Sequence, residues 1–119
     1  MEKVKGFSAN DPRYLGFIEL FNQHKFFEAH EILEVLWKEI EGPDLDFLKG
    51  LIQIAAAFVH VQKGRFDGAH QLFKTASGYL QKYPSPYKNI GTQNLLSAVE
   101  ESLISGKGFP KIKLKTTLC

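Results

Sequence analysis

Apolar side chains recur every three or four residues along most of the chain, which is the pattern of amphipathic α-helices. This pattern predicts five helices, over residues 12–23, 26–41, 44–63, 65–82 and 92–105. Residues 1–10 are expected to form a loose leader. Residues 106–119 are expected to form an extended basic tail, because apolar residues and lysines alternate at period two in the segment 109–115. We expect this tail to lie over the helices.

The third predicted helix is apolar almost all the way round, and such a helix is normally surrounded by others. Its polar side chains share one side. With 100° per residue, Lys49, Gln53 and His60 fall within an arc of about 40°. We therefore expect this helix to be the centre of the fold and its polar stripe to face polar groups on a neighbouring helix.

Local signals define the ends of the predicted helices. Asp11 and Pro12 are typical of an N-cap and a first helical residue. Gly42 and Pro43 end the second helix, and Asp44 is expected to cap the third. A helix cannot continue through two prolines, so the segment 83–87, Tyr-Pro-Ser-Pro-Tyr, stops the fourth. Residues expected to pack inward include Leu15, Phe66 and Ile104.

A weak internal repeat relates residues 25–32 to residues 65–72, with aromatic, alanine, histidine and aliphatic positions in the same order. Each copy is the first half of a helix that follows a short turn, so the repeat favours two stacked helical hairpins. Similar packing demands would also produce the match, and common origin stays open. The predicted fold class is all-α: a compact bundle of about five helices, built from stacked antiparallel helical hairpins, in a single domain over residues 1–119.

Composition excludes several classes of protein. With 44% hydrophobic and 24% charged residues the chain is globular rather than disordered, and a net charge of +2 argues against nucleic-acid or membrane binding. Cys119 is the only cysteine, and the N-terminal residues contain no apolar segment, so we expect a reducing, cytoplasmic compartment. Lysines of the tail, including Lys111, Lys113 and Lys115, could meet phosphates, but a solvated lysine edge is the favoured interpretation.

Two metal-site patterns are incomplete in the second predicted helix. His30 and Glu31 begin a His-Glu-x-x-His run, but Glu34 stands where the second zinc ligand is required. A di-iron site requires Glu-x-x-His on two helices, whereas Glu28 and His30 are two positions apart and lie on different faces. No metal site is predicted from these patterns, and the sequence names no cofactor.

A looser polar cluster remains as the candidate site. If the second and third helices form an antiparallel hairpin around Gly42, then His30 and Glu34 lie level with Gln53, and His60 lies beyond them. The six candidate residues are His30, Glu31, Glu34, Trp37, Gln53 and His60. Two interpretations remain open: a buried polar network that fixes helix register, or a site for a ligand or for catalysis.

Three segments carry a resemblance to a known family. They are FFEAHEILEVLW at residues 26–37, FLKGLIQIAAAFVHVQKG at 47–64 and GAHQLFKTA at 68–76. The chain resembles domain-of-unknown-function family 309, whose members are small all-helical proteins of bacteria, archaea and plastids. The resemblance covers residues 21–80 and implies a compact helical bundle. It supplies no activity, but it includes the same His, Glu, Gln and Trp residues that the helical geometry places together.

Two functional hypotheses follow. The first is an uncharacterised helical bundle that serves as a binding or interaction module, with a protein partner or a second copy of itself, and without demonstrated chemistry. The alternative is a small enzyme or a ligand- or metal-binding protein. It would use His30 and Glu34 as an acid–base pair, with Gln53 and His60 to position a substrate.

Overall fold

The computed structural model describes residues 2–114, and within this range it contains five helices and two short strands. In chain order they are β1 (Val4–Lys5), α1 (Pro12–Asn22), α2 (Phe26–Glu39), β2 (Ile40–Glu41), α3 (Asp44–Gln62), α4 (Phe66–Leu80) and α5 (Thr92–Ser105). The predicted all-α bundle is confirmed, and each helix end lies within two residues of its predicted position.

The central position predicted for α3 is also confirmed. It packs against both α2 and α4, and its side chains Phe47, Leu51 and Phe58 are fully buried. Gly50 lets α4 approach closely, because a Cβ atom at this position would lie 2.7 Å from Cγ of Leu80. Since α2 and α4 lie on different sides of α3 and are not close neighbours of each other, part of the α3 surface remains between them.

Equivalent turns join α1 to α2 and α3 to α4. His24 and Gly64 adopt left-handed conformations, with φ of 65° and 74°. The next backbone N–H reaches back to a helical carbonyl in both turns, from Lys25 to Leu20 at 2.9 Å and from Arg65 to His60 at 2.8 Å. The internal repeat of the sequence therefore corresponds to two hairpins with the same turn, which agrees with the predicted stacked-hairpin architecture.

The leader differs from the expected loose segment. Its strand β1 pairs in parallel with β2, with Val4 opposite Ile40, and the Gly6 N–H donates to the Glu41 carbonyl at 3.1 Å. This pairing also explains why α2 ends at Glu39, two residues before the predicted end. The last two residues of the predicted helix are extended and bond to the leader, a partner that is remote in sequence and invisible to helical periodicity.

The tail lies over the bundle, as predicted, for the residues that the structure describes. The Phe109 ring lies 5.2 Å from that of Phe26 and 5.9 Å from that of Phe58, and Ile112 is buried. The Asn22 amide holds the tail backbone at both polar groups of Ile112: Nδ2 donates to its carbonyl at 2.9 Å, and Oδ1 accepts from its N–H at 2.7 Å. Lys115 of the predicted basic edge lies outside the described residues.

Other local predictions are wrong. Leu15, Phe66 and Ile104 were expected to pack inward, but they are 38%, 49% and 74% exposed. Helical periodicity gives the side of the helix that carries apolar residues, and it does not give how far the neighbouring elements cover that side. Asp44 does not cap α3. Pro43 occupies the N-cap position without a side-chain hydrogen bond, and the Asp44 carboxylate accepts a hydrogen bond from Tyr87 instead.

None of the helices in residues 2–114 is long and apolar enough to cross a membrane.

Candidate functional site

The surface of α3 between α2 and α4 brings most of the candidate residues to one face of the molecule, and we call this surface with its flanking side chains the α2–α4 groove. Its floor is the α3 polar stripe, Lys49, Gln53 and His60, whose side chains are half-buried. We define the α2–α4 groove by this floor, by one wall on α2 and by another on α4. The residues of the two walls are His30, Glu34 and Trp37 on α2, and Gly68 and Tyr79 on α4.

The side of α2 that faces the groove follows from the contact that its opposite side makes with α1. A Cβ atom at Gly16 of α1 would lie 3.0 Å from the end of the Ile32 side chain, so the Ile32 side of α2 faces α1. His30 projects about 160° away around the helix axis. Two contacts set the register against α3: Trp37 lies near Lys49, and the Phe26 ring lies 5.2 Å from that of Phe58. This antiparallel register places His30 and Glu34 level with Gln53.

His30 and Glu34 form a direct pair in the α2 wall. The His30 Nε2 atom lies 2.6 Å from Oε1 of Glu34, and the two side chains are 26% and 35% exposed. The two residues are four positions apart and share one side of α2, which brings the imidazole and the carboxylate into direct contact. Nδ1 of the same ring is buried and has no hydrogen-bond partner in the described residues. The His30 ring is therefore held beside Glu34, and its second nitrogen lacks a hydrogen-bond partner among the described residues.

The predicted four-residue network is not closed by hydrogen bonds. Gln53 lies at the expected level, but its Oε1 atom is buried and accepts no hydrogen bond within the described part of the chain. The same holds for the Trp37 indole Nε1 and for Nδ1 of His60. Buried polar groups in folded proteins are nearly always paired, so orphaned atoms on four residues of a single groove require an explanation.

His60 lies further along the floor, against the α4 wall. A Cβ atom at Gly68 would be 3.0 Å from Nδ1 of His60 and 3.3 Å from its Cε1. The imidazole thus rests directly on the α4 backbone, at a position where any side chain would press on it. Gly68 sets the close approach of α3 and α4 at this end of the groove, as Gly50 does at the other.

Lys49 occupies the opposite end of the floor, between an aromatic ring from each wall. Its Nζ atom lies 5.9 Å from the centroid of the Trp37 ring and 5.6 Å from that of Tyr79, within the range of cation–π attraction. The sequence placed Lys49 on the polar stripe but gave no reason to join it to Tyr79. That contact depends on how α4 packs against α3.

Glu31 is separated from the other five candidate residues. Its side chain is exposed on the outer face of α2, outside the groove. Within residues 2–114, no group of three or more His, Cys, Asp or Glu side chains is arranged to hold a metal ion.

Most of the groove falls within a recognised domain. A family model described as "Domain of unknown function (DUF309)" matches residues 14–72. The chain belongs to the DUF309 family. The matched segment of this DUF309 chain includes the entire floor of the groove, its α2 wall and Gly68, whereas Tyr79 lies beyond it. None of the curated proteins matches the chain.

A solved structure is similar over most of the DUF309 chain. The conserved hypothetical protein TTHA0068 from Thermus thermophilus matches with a TM-score of 0.68 and 26% sequence identity, over 77% of this chain and 96% of that one. Neither the family description nor this neighbour names an activity, so the chemistry of the groove has to indicate the function.

A second polar cluster, which sequence reasoning missed, lies at the N-terminus of α3. Asp44 is 6% exposed, accepts a hydrogen bond from the Tyr87 hydroxyl, and lies 3.4 Å from Nζ of Lys88. Lys88 also donates to the Phe7 carbonyl at 2.5 Å, and its own carbonyl accepts from the Tyr14 hydroxyl at 2.7 Å. We call this set of five residues the Asp44 cluster. Its signal in the sequence was only Asp44, which was expected to cap α3, and Tyr87, which follows a proline.

The tyrosines around Asp44 have raised pKa values. The hydrogen bond to Asp44, together with burial, raises the pKa of Tyr87 to about 12. Burial, with a smaller contribution from the Asp44 charge, raises the pKa of Tyr14 far above its ordinary value. Both hydroxyls are therefore protonated at neutral pH, and the cluster keeps its hydrogen bonds over the physiological range.

The two polar clusters differ in one decisive respect. Each polar group of the Asp44 cluster that the contacts above describe has a partner, and together they fasten the leader, α1, α3 and the segment after α4. That arrangement is typical of a structural network. In the groove, by contrast, one polar atom on each of four side chains has no hydrogen-bond partner among the described residues. The groove is therefore the better candidate for a binding site.

Proposed function

We propose that this DUF309 protein is a non-enzymatic binding module and that the α2–α4 groove is its binding site. The observation that carries the proposal is a set of four buried polar atoms, on His30, Trp37, Gln53 and His60, that have no hydrogen-bond partner within residues 2–114. Leaving such an atom unpaired costs about 1–3 kcal/mol, and a bound ligand would supply the missing hydrogen bonds. A cytoplasmic compartment, inferred from the single cysteine, belongs to the same proposal.

The chemistry of the groove favours a small polar ligand over an apolar one. Trp37 Nε1 is a donor, the Gln53 carbonyl oxygen is an acceptor, and an imidazole nitrogen can serve as either. The aromatic rings of Trp37 and Tyr79 add flat apolar surface at one end. Ligand sites in proteins commonly combine a few convergent polar groups with such surface.

A fragment screen by two-dimensional amide NMR tests the location of the site. We expect small polar fragments to shift the amide signals of the groove and the Trp37 indole signal. Other cavities are competing locations, for example one of about 210 Å³ between α5 and the tail, lined by Ile90, Leu95 and Ile112. Fragments that bind only in that cavity, or that shift signals scattered over the surface, would contradict the proposal.

Replacement of Gln53 by leucine provides a second test, through stability. The variant Gln53→Leu removes an unpaired buried carbonyl, so we expect the free energy of unfolding to rise by up to about 1 kcal/mol. The control is Gln71→Leu, at an exposed position of α4, which should change stability little. A clear loss of stability in Gln53→Leu would instead indicate that Gln53 supports the fold.

One observation favours a small enzyme as the second candidate function. An imidazole beside a carboxylate is a common element of general-base sites, and Nε2 of His30 lies 2.6 Å from Oε1 of Glu34. Hydrolysis of an activated ester should then exceed that of free imidazole at equal concentration, and His30→Gln should lose the excess. Equal rates for the wild type and the variant would leave the binding module as the only candidate.

A further inference from the structure

We propose that the groove binds a small oxyanion, a molecule with a carboxylate or phosphate group, and that Lys49 is the residue that holds its charge. This inference rests on the proposed function and adds the chemical class of the ligand. It is carried first by the unpaired charge of Lys49, and the orphaned polar atoms described above add to it.

The Lys49 ammonium group has no anionic partner within residues 2–114. It is half-buried, it forms no ion pair, and its contacts are the faces of the Trp37 and Tyr79 rings. These rings stabilise a positive charge, but they accept no strong hydrogen bonds from the three N–H groups. The N–H groups of Lys49 therefore remain available for hydrogen bonds with another group.

Two carboxylates near Lys49 are engaged by other side chains. Glu34 lies 2.6 Å from His30 in the α2 wall. Asp46, one turn before Lys49, lies 2.7 Å from Nζ of Lys82. Because neither forms an ion pair with Lys49, its charge has no counter-ion among residues 2–114, and this end of the groove favours an anion over a cation.

A hydrogen-bond donor lies on one of the rings that Lys49 contacts. The Trp37 Nε1–H group is buried and has no acceptor in the part of the chain that the structure describes, and an indole nitrogen can only donate. An oxyanion has several acceptor oxygens, so one group could accept from both Lys49 and Trp37. Further along the floor, Gln53 and His60 would meet a second polar group of the same ligand, which favours a small molecule with two polar ends.

Trp37 makes the inference directly measurable, because it is the only tryptophan of the chain and gives a single indole N–H signal. The intact chain is titrated separately with sodium phosphate and sodium succinate, which distinguish the two oxyanion types. Sodium chloride at equal ionic strength and the neutral analogue succinamide serve as comparisons. We expect at least one oxyanion to shift the indole signal in a saturable way, and chloride and succinamide to leave it unchanged.

Substitution of Lys49 tests which residue holds the charge. Lys49→Met removes the charge and keeps an unbranched side chain between the rings, and we expect oxyanion affinity to fall at least about tenfold. Lys74→Met makes the same change at an exposed position of α4, and its affinity should equal that of the wild type. If Lys49→Met does not fold, Lys49→Arg is the alternative, and its affinity should remain within a few-fold of the wild type.

Three results would overturn the inference: wild-type affinity in Lys49→Met, binding of succinamide as tight as that of succinate, or no indole shift with either oxyanion. None of them decides whether the groove binds ligands at all. That question belongs to the fragment screen, so failure of the oxyanion inference and failure of the proposed function give different results.

Discussion

Individual glycines decide how closely the helices around the groove approach one another. Gly50 and Gly68 each occupy a helix position where a side chain would collide with the neighbouring helix, at Leu80 and His60 respectively. A glycine within a helix normally costs about 1 kcal/mol relative to alanine, because it loses more conformational entropy on folding. The close packing of α3 and α4 offsets that cost, and it fixes the position of the His60 ring in the groove.

Alanine at Gly68 should therefore be less favourable than alanine at Gly78 of the same helix. A Cβ atom at Gly78 meets nothing within 4 Å, so Gly78→Ala should stabilise the protein by up to about 1 kcal/mol through helix propensity. In Gly68→Ala the new methyl group presses on His60, and we expect this variant to be about 1–2 kcal/mol less stable than Gly78→Ala. Urea unfolding of both variants measures the difference.

Combining Gly68→Ala with His60→Ala tests whether the His60 ring causes the loss of stability in Gly68→Ala. If the His60 ring is the obstacle, Gly68→Ala should cost less in a His60→Ala background than in the wild type. Equal costs in both backgrounds would show that the imidazole does not limit the approach of the two helices.

Among the secondary-structure elements, the helices could be predicted from the sequence, but the segments that pair with them could not. Helix α3 follows from a nearly continuous apolar pattern, and the end of α4 follows from two prolines. Ile40 and Glu41 continue the helical pattern of α2, yet they are extended because the leader bonds to them. Competition between local helix propensity and long-range pairing is decided by packing, and the sequence pattern does not contain that information.

The tail provides a prediction at this scale, because Asn22 bonds to both polar groups of Ile112. In Asn22→Ala these two hydrogen bonds are lost, each contributing about 1 kcal/mol, so the tail should detach more often. Hydrogen exchange should become faster for the amides of residues 109–114, while the amides within α3 keep their protection. The matched control is Gln23→Ala at the neighbouring exposed position, which should leave exchange in the tail unchanged.

For the whole molecule, the Asp44 cluster ties segments that are far apart in the chain. The leader, α1, the start of α3 and the segment after α4 meet there through Phe7, Tyr14, Asp44, Tyr87 and Lys88. Gly6 belongs to the same junction: its φ is +70°, and a Cβ atom there would lie 2.9 Å from Oδ2 of Asp44. Such contacts between distant segments make the leader part of the folded unit.

The free energy of unfolding should decrease at alkaline pH, because the Tyr87 hydroxyl of the Asp44 cluster has different pKa values in the folded and unfolded states. The pKa of Tyr87 rises from its ordinary value of 10.0 to about 12 in the folded protein, where the hydrogen bond to Asp44 favours the protonated hydroxyl. The folded state then binds more protons than the unfolded state between these two values. The stabilisation is fully present below pH 10 and is lost as the pH rises towards 12.

Urea unfolding at several pH values measures this decrease. Tyr87→Phe removes one titrating group, so its stability should fall less steeply over the same range. A variant as steep as the wild type would assign the decrease to other groups, such as Tyr14, whose pKa is also raised by burial.

The sequence by itself determined the helices, the central position of α3 and the level of His30, Glu34 and Gln53 in a hairpin. Each of these depends on local periodicity and on the length of the turn, and both can be read from residues that are close together in the sequence. The contact of His30 with Glu34 follows from the same periodicity, because residues four positions apart share one side of a helix.

Only the tertiary structure decided what surrounds those residues. It separated Glu31 from the groove, left Gln53 without a partner, brought Tyr79 to Lys49 and placed Gly68 under His60. All of these depend on the packing of α4 against α3 and of α2 against α3, which joins residues distant in the chain. Packing at contact distance depends on the shapes of both surfaces, and a periodic pattern specifies only which side of each helix is buried.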